Sequence, residues 1–548
     1  MTQVTVPVHD RRSAGSPSLA STSRTVMLWT LVSRATGFAR VTVLGAVIGP
    51  TFFGNLFQTL TLLPGTMFAL LGGSLVGAVL VPRLVGAVDR GDRGEVGRLA
   101  GGFLGTVLAV LALVAGLLLL CGPALLSLVT AAVPDPAVRA KQGQVGGLLL
   151  AMLLPQIFFA AVAATGAAVQ HAQGRFALAA AAPAAENSAA IAVLILSALV
   201  FGGGPELGDV STAQLLLLGV GTTAAAALQG AVQWWGAWRS GVALLPRAGW
   251  RDAEVRRILR AGLTASRHTG LYNLTWLGLV LAAGGIPGAV IALQIGQSFA
   301  TLPVALGATP VAAAQLPRLA RLASTGVEFH AIFRDGVALA RFSTLPAGLL
   351  LTALCVPLAH AVALGQMAGT SAIALTAACI GGLGVGVAGE ALIVVAASAA
   401  YARRDGTAPF HAMLLRALIA AGGMAGALVA FEGAERLWAL ALSVSAASLA
   451  SAAFLHWRVV RRLPALPAPI GGVTADLGIA ALSVAVAALV AAWLAPPAGS
   501  ALGWMSGLAA ALGASGAVYV GLQWLRGSRE VLVFLPAGPR RSPLRSGS

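Results

Sequence analysis

Fourteen stretches of this chain read as long, apolar helices, near residues 25–50, 56–82, 99–130, 145–170, 176–201, 211–238, 258–283, 287–317, 336–363, 369–400, 408–430, 437–457, 473–495 and 500–525. A bilayer-spanning helix needs about 20 predominantly apolar residues, and runs packed this closely leave little chain for anything else. Only 10% of the 548 residues are charged, where a water-covered surface needs roughly a quarter. The solvent of most of the chain is therefore lipid. The expected fold class is an all-α polytopic membrane protein with about 14 transmembrane helices. A soluble enzyme, a disulfide-stapled secreted domain and a disordered chain are excluded.

The formal charge of +17 would suit a nucleic-acid partner, but the positions of the basic residues point elsewhere. Of 35, all but Lys141 are Arg, and 28 fall in one alternate set of loops and tails, among them Arg83, Arg90, Arg93, Arg98, Arg403 and Arg404. The opposite loops hold three, Arg139, Lys141 and Arg436, and four lie within spans: Arg34, Arg40, Arg267 and Arg416. Cytoplasmic loops carry the Lys/Arg excess, so both termini are expected in the cytoplasm and the number of crossings is even. The charge orients the chain, and the basic–aromatic interleaving of a nucleic-acid surface is absent.

The first apolar run is interrupted by Arg34 and Arg40 instead of ending in a small-residue cleavage site, so it is expected to stay in the protein. Residues 1–24 form a polar tail expected to be disordered. Leu63-Pro64 followed by Val81-Pro82-Arg83-Leu84 is echoed by Leu302-Pro303 followed by Leu316-Pro317-Arg318-Leu319. If these mark equivalent second helices, two six-helix lobes share one orientation, as in transporters built from parallel repeats. The expected organisation is an N-lobe over 25–238, a basic cytoplasmic linker over 239–257, a C-lobe over 258–462, two further helices over 463–526 and a cytoplasmic tail over 527–548. Cys121, Cys355 and Cys379 are isolated in apolar runs and read as packed thiols.

Ionisable groups within spans are costly and mark functional positions by default. Arg34 and Arg40 are six residues apart, about 9 Å along a helix and about 120° around it, so a wide cavity could take both but a narrow stripe could not. Arg267 and His268 lie early in the seventh run, Glu186-Asn187 in the middle of the fifth, and Glu390 in the tenth. Asn55, Gln58, Asn273 and Gln294 add uncharged polar groups. The acids could lock helices together, with Arg267 pairing either Glu186 or Glu390. In-span cations still outnumber in-span acids, and the surplus calls for an anion from outside, for which a phosphate is the natural match to guanidinium. Arg416 is expected to snorkel to the cytoplasmic face. No metal-ligand spacing, phosphate loop or nucleophile–base set is present, so no catalytic residue, metal or cofactor is expected.

Ser33-Arg34-Ala35-Thr36-Gly37-Phe38-Ala39-Arg40, then Leu63-Pro64 and Val81-Pro82, resembles the opening of the MurJ/MviN lipid II flippases of the multidrug/oligosaccharidyl-lipid/polysaccharide exporter superfamily. Further matches run in order to about residue 460: Leu154-Pro155-Gln156-Ile157-Phe158-Phe159, Gln173-Gly174-Arg175-Phe176, Ala182-Pro183, Asn187, Leu316-Pro317-Arg318-Leu319, and Tyr401-Ala402-Arg403-Arg404-Asp405-Gly406-Thr407-Ala408-Pro409. The resemblance implies two lobes around a cationic cavity, with the last two helices forming a lipid-facing groove, in a bacterial plasma membrane. It implies export by alternating access of undecaprenyl-pyrophosphate-linked disaccharide-pentapeptide, lipid II. Arg34 and Arg40 would hold the pyrophosphate, with Arg267, Asn55 and Ser298 assisting, and Glu186, Asn187 and Glu390 would serve structure or coupling. Expected partners are lipid II or a related polyprenyl-pyrophosphate glycolipid, membrane lipids and cell-wall synthesis proteins, with no nucleic acid.

The chain departs from the family pattern at several polar positions. It has Asn55 where many members carry an acid, Phe68 and Ala69 where they carry Arg, Gly73 for Glu and Ser298 for Arg. Three other readings stay open on sequence: an exporter of another polyprenyl-linked glycan, a non-transporting cell-wall scaffold, and a cation-coupled drug antiporter using Glu186.

Overall fold

The computed structural model describes residues 19–73, 76–323, 325–464, 472–495, 501–528 and 530–531, and every regular element among them is helical. In chain order the helices are α1 (Leu19–Ile48), α2 (Phe52–Phe68, extended to Val81–Asp89), α3 (Arg93–Leu120 and Gly122–Val129), α4 (Pro136–Leu153 and Gln156–Ala172), α5 (Ala177–Phe201) and α6 (Thr212–Arg239). They continue with α7 (Ala253–Ala283), α8 (Ala289–Pro303, extended to Thr309–Arg321), α9 (Gly326–Ala353 and Cys355–Val362) and α10 (Thr370–Gly384 and Val387–Ala402). The last four are α11 (Thr407–Ala430), α12 (Gly433–Val460), α13 (Gly472–Trp493) and α14 (Ala501–Leu525).

Eleven stretches among the described residues are long and apolar enough to cross a membrane, or twelve when the two pieces of α10, bent by 40°, count as one. The expected runs 56–82 and 258–283 are helical but fall outside that set. The first is interrupted by π-helical Ala69–Gly73 and Val76–Leu80; the second, α7, is loaded with Arg256, Arg257, Arg260 and Arg267. A π-helical segment, Val304–Ala308, also follows Pro303 in α8. Proline removes a backbone donor and crowds the preceding turn, and wider π turns accommodate such a defect. The Leu-Pro echo in the sequence thus marks two helices that loosen in the same way.

Packing repeats as well. In the first half α1 packs on α5, α2 and α3 on α4, and α4 and α5 on α6. In the second, α7 packs on α11, α8 and α9 on α10, and α10 and α11 on α12. Large apolar side chains such as Leu113, Leu120, Leu199 and Val429 point outward, as lipid as solvent allows.

Two expectations change. Helix α1 starts at Leu19, so residues 19–24 are helical, while 1–18 lie outside the described residues. Cys379 is buried, but Cys121 is exposed at the break within α3. The linker segment is docked on the first half: Val242 and Leu244 are buried, and the Arg247 N–H donates to the Gly101 carbonyl at 3.0 Å. Helix α7 then begins at Ala253, capped by Asp252, whose carboxylate also meets Arg98 of α3.

Candidate functional site

At the arginine-poor ends of the helices the two halves of the sequence are clasped together. Asn55, at the start of α2 and 2% exposed, donates through Nδ2 to the carbonyls of Ile286 (2.7 Å) and Gly284 (3.2 Å) and accepts at Oδ1 from the Val290 N–H (3.1 Å). Gly288 turns the chain there at φ +78°, and a Cβ on it would lie 2.4 Å from Pro50, so only glycine permits this approach. Around the clasp Leu44, Ile48, Phe53, Leu56 and Ile291 are nearly water-free.

On the basic side of this seal a cavity of about 620 Å³ opens between α1, α5 and α8. Helix α1 lines it with Thr30, Ser33, Arg34, Gly37, Phe38, Arg40 and Val41, mostly at the i, i+3, i+4 spacing of one helix face. Both arginines therefore reach one chamber, as a wide cavity permits. No carboxylate lines it, and neither guanidinium has an ion-pair partner among the described residues. Helix α8 supplies Gln294, Gln297, Ser298 and Thr301. That 294/297/298/301 stripe of polar residues in an apolar helix was a readable signal, of which sequence reading named only Gln294 and Ser298. The Ser298 hydroxyl donates to the Gln294 carbonyl at 2.8 Å, while the Oε1 of Gln294 is buried without a partner. Phe38 meets Phe299 edge-on at 5.1 Å, bringing α1 against α8.

Arg34, Gln297 and Thr301 also line an adjoining pocket of about 210 Å³ with Tyr272 and Trp276 of α7, Glu390 of α10, Arg416 of α11 and Ser448 of α12. Here one expectation is corrected. Arg416 does not snorkel: it is 4% exposed, its Nη2 lies 2.6 Å from the Oε1 of Glu390, and its guanidinium stacks over Tyr272 at 4.6 Å. Ser448 donates to the same Oε1 at 2.7 Å. Glu390 thus pairs with Arg416, while the expected pairing of Arg267 falls on a side chain outside the described residues.

The remaining expected site residues separate. Asn187 lines the cavity and holds α5 to α1 by donating to the Ser33 carbonyl and Thr36 hydroxyl, each at 3.4 Å. Glu186, its neighbour, feels the charge of Arg40 but forms no ion pair among the described residues. Asn55 is corrected from cavity group to clasp, because all its polar atoms are spent on backbone groups of the α7–α8 turn. His268 packs edge-on to Tyr401 at 6.3 Å. Phe68 and Ala69 sit where α2 turns π-helical, away from the cavity lining.

Residues 44–497 match the family described as lipid II flippase MurJ. The chain belongs to the MurJ family. Over 491 residues it is 25% identical to a probable lipid II flippase MurJ of Synechocystis sp., covering 87% of this chain and 88% of that protein. A probable lipid II flippase MurJ of Rhizobium tropici is 27% identical over 384 residues, 70% of each chain. Among solved structures the fold is similar to a lipid II flippase MurJ in an inward closed conformation, with a TM-score of 0.70 at 13% identity over 91% of this chain and 99% of the other. An inward-facing multidrug resistance MATE family transporter of the MOP superfamily gives a TM-score of 0.58 at 15% identity, covering 81% of this chain and 98% of the other. The MurJ fold thus accounts for the helical architecture, and the cationic cavity sits within it.

Proposed function

We propose that the protein flips lipid II, moving its undecaprenyl-pyrophosphate-linked headgroup from the inner to the outer leaflet by alternating access. One observation carries the binding site: Arg34 and Arg40 face a single cavity that no carboxylate lines, and neither has an ion-pair partner among the described residues. Cations within a span that lack a protein partner are costly, and a pyrophosphate supplies the multiple oxygens that two guanidinium forks bind well. Gln294, Gln297, Ser298 and Thr301 offer the hydroxyls and amides that suit a sugar. Asn187 fixes the α1–α5 contact so that the Arg34 side of α1 stays turned inward, and Arg267 is assigned a supporting contact from α7.

The arginine-rich ends are cytoplasmic on the positive-inside rule, with both termini on that side of a bacterial plasma membrane. The Asn55 clasp then closes the outer side, and the cavity is poised to load from the cytoplasmic leaflet. The repeated packing of α1–α6 and α7–α12 supports two lobes that rock about this site, with α13 and α14 appended. A passive scaffold would have no use for two unpaired guanidiniums facing one cavity within a span, which favours transport.

Complementation of a flippase-depleted cell tests the site. Arg34→Ala and Arg40→Ala are each expected to abolish growth at normal protein levels, and growth supported by both variants would overturn the assignment. Translocation of purified lipid II in proteoliposomes, with and without a membrane potential, tests the cargo and its driving force together.

A further inference from the structure

Glu390 is the one acid lining either the cavity or its adjoining pocket among the described residues, and it shares that pocket with Arg34. An acid and a ligand-binding arginine on opposite halves of the chain that line one pocket within the membrane-spanning region should attract each other. In the structure they do not pair. Glu390 is held instead by Arg416, and Arg34 is left without a partner.

We propose that Arg416 is a positioning residue for the anion site: it occupies Glu390 so that the carboxylate does not capture Arg34. The proposal rests on the reading of Arg34 as a pyrophosphate ligand. The geometry fits this division of labour. Arg416 cannot itself serve the cavity, because it is 4% exposed and pinned on the Tyr272 ring. Its Nη2 and the Ser448 hydroxyl both fall on the Oε1 of Glu390. The Nε and Nη1 of Arg416 find no hydrogen-bond partner among the described residues, and Glu390 is the one acid there with which the guanidinium forms an ion pair. The pair closes within the second half, on α10, α11 and α12, and leaves the first-half arginine free for a ligand. A cross-half Arg34–Glu390 pair would do double damage: it would fill the anion site and tie together two lobes that must move apart.

The mutual logic gives a rescue test with a binding readout. The probe is undecaprenyl pyrophosphate, titrated against purified full-length protein in detergent, with thermal unfolding measured on each variant. Wild type is expected to bind and Arg34→Ala to lose binding; wild-type binding that is indifferent to Arg34 would sink the proposed binding site itself. With that control in place, Arg416→Gln is expected to weaken binding by about tenfold or more, the scale of coupling between close buried charges. Arg416→Lys, which keeps the charge, is expected to bind more tightly than Arg416→Gln. Adding Glu390→Gln to Arg416→Gln removes the competitor and is expected to restore binding to near wild type. A merely structural pair predicts instead that the variants differ in unfolding temperature while the folded protein binds the probe as wild type does. The proposal is overturned if Arg416→Gln binds as wild type or if the double variant binds as weakly as the single. Should Arg416→Gln fail to fold, Glu390→Gln and the double variant decide: near-wild-type binding by both supports the proposal, and loss in both refutes it.

Discussion

Asn55 and Ile286, 231 positions apart in the chain, meet side chain to carbonyl at 2.7 Å, and this contact closes one end of the molecule. The same carboxamide accepts from Val290 and donates to Gly284, so truncation would orphan three buried backbone groups at once. Each such group costs about 1–3 kcal/mol when left unpaired. Asn55→Ala is therefore expected to weaken the sealed state. Asn55→Asp should also weaken it, since a carboxylate would face two carbonyl oxygens in place of a donor. The check is a Ser33→Cys reporter in a background without native cysteines, probed with an impermeant maleimide from the outer side. Labelling should rise in both Asn55 variants, and equal labelling with and without them would show that the clasp does not gate access.

Arg34 and Arg40 differ in their surroundings although they share a cavity. Arg34 is shared with the pocket of Glu390, whereas Arg40 also borders a small void beside Gln58 and Leu194. Lysine keeps the charge but gives up the planar fork that binds two oxygens at once. Loss of a charge-assisted hydrogen bond costs about 1.5–3 kcal/mol, roughly 10–100-fold in affinity. Arg34→Lys and Arg40→Lys are each expected to transport lipid II in proteoliposomes at reduced rate and lower apparent affinity, between wild type and alanine. Full activity in both would mean that charge alone suffices.

The cavity arginines were legible in the sequence because a cation within a span has few reasons to be there, and because their six-residue spacing bounded the width of the space they share. The fates of Asn55 and Arg416 were not legible. Polarity within a span says that a partner exists; it does not say whether that partner is a ligand, a side chain or a backbone carbonyl from the other half. Asn55 found backbone across 231 positions, and Arg416 found Glu390 only because α10, α11 and α12 pack together. That the linker docks on α3 was not legible either, because the glycines that receive it lie about 145 residues upstream.

Asp405 explains why an Asp-Gly-Thr-Ala-Pro loop opens α11. Its Oδ1 accepts from the Thr407 and Ala408 N–H groups, both at 3.1 Å, and from the Thr407 hydroxyl at 2.7 Å. Partial burial pushes its carboxyl up, but these donors and the charge of Arg458 outweigh that and hold it below the ordinary carboxylate range. Loss of such a cap costs about 0.5–2 kcal/mol, so Asp405→Ala is expected to unfold at lower temperature in detergent at neutral pH. A depressed folded-state pKa contributes stability that is fully present above the unfolded value, about 3.9, and is lost as pH falls through the folded one. The difference in melting temperature between wild type and variant should therefore persist down to about pH 4 and shrink only below it. A difference that vanishes near neutrality would place the effect elsewhere.

Gly105 of α3 lies directly beneath the linker: a Cβ there would fall 2.1 Å from the Arg247 carbonyl oxygen and 2.6 Å from its nitrogen. Both obstacles are backbone, which cannot rotate aside as a side chain can. Gly101 repeats the constraint one turn earlier, where a Cβ would lie 2.4 Å from the Leu245 carbonyl oxygen. Gly105→Val should therefore lift the linker off α3, with overpacking of about 1–3 kcal/mol acting on the docked state. Arg247 and Arg251 are exposed even in the docked linker, but a protease needs mobile backbone around them, and the docked segment is held by the Arg247–Gly101 hydrogen bond and the buried Leu244. Limited trypsin digestion of inverted vesicles is expected to split Gly105→Val near residue 250 into two large fragments under conditions that leave the wild type intact. Equal cleavage of both would mean that the linker leaves its groove readily in the native protein, with α7 still joined to the first half by the Arg98–Asp252 and Arg83–Glu254 ion pairs and the buried Val255 and Ile258.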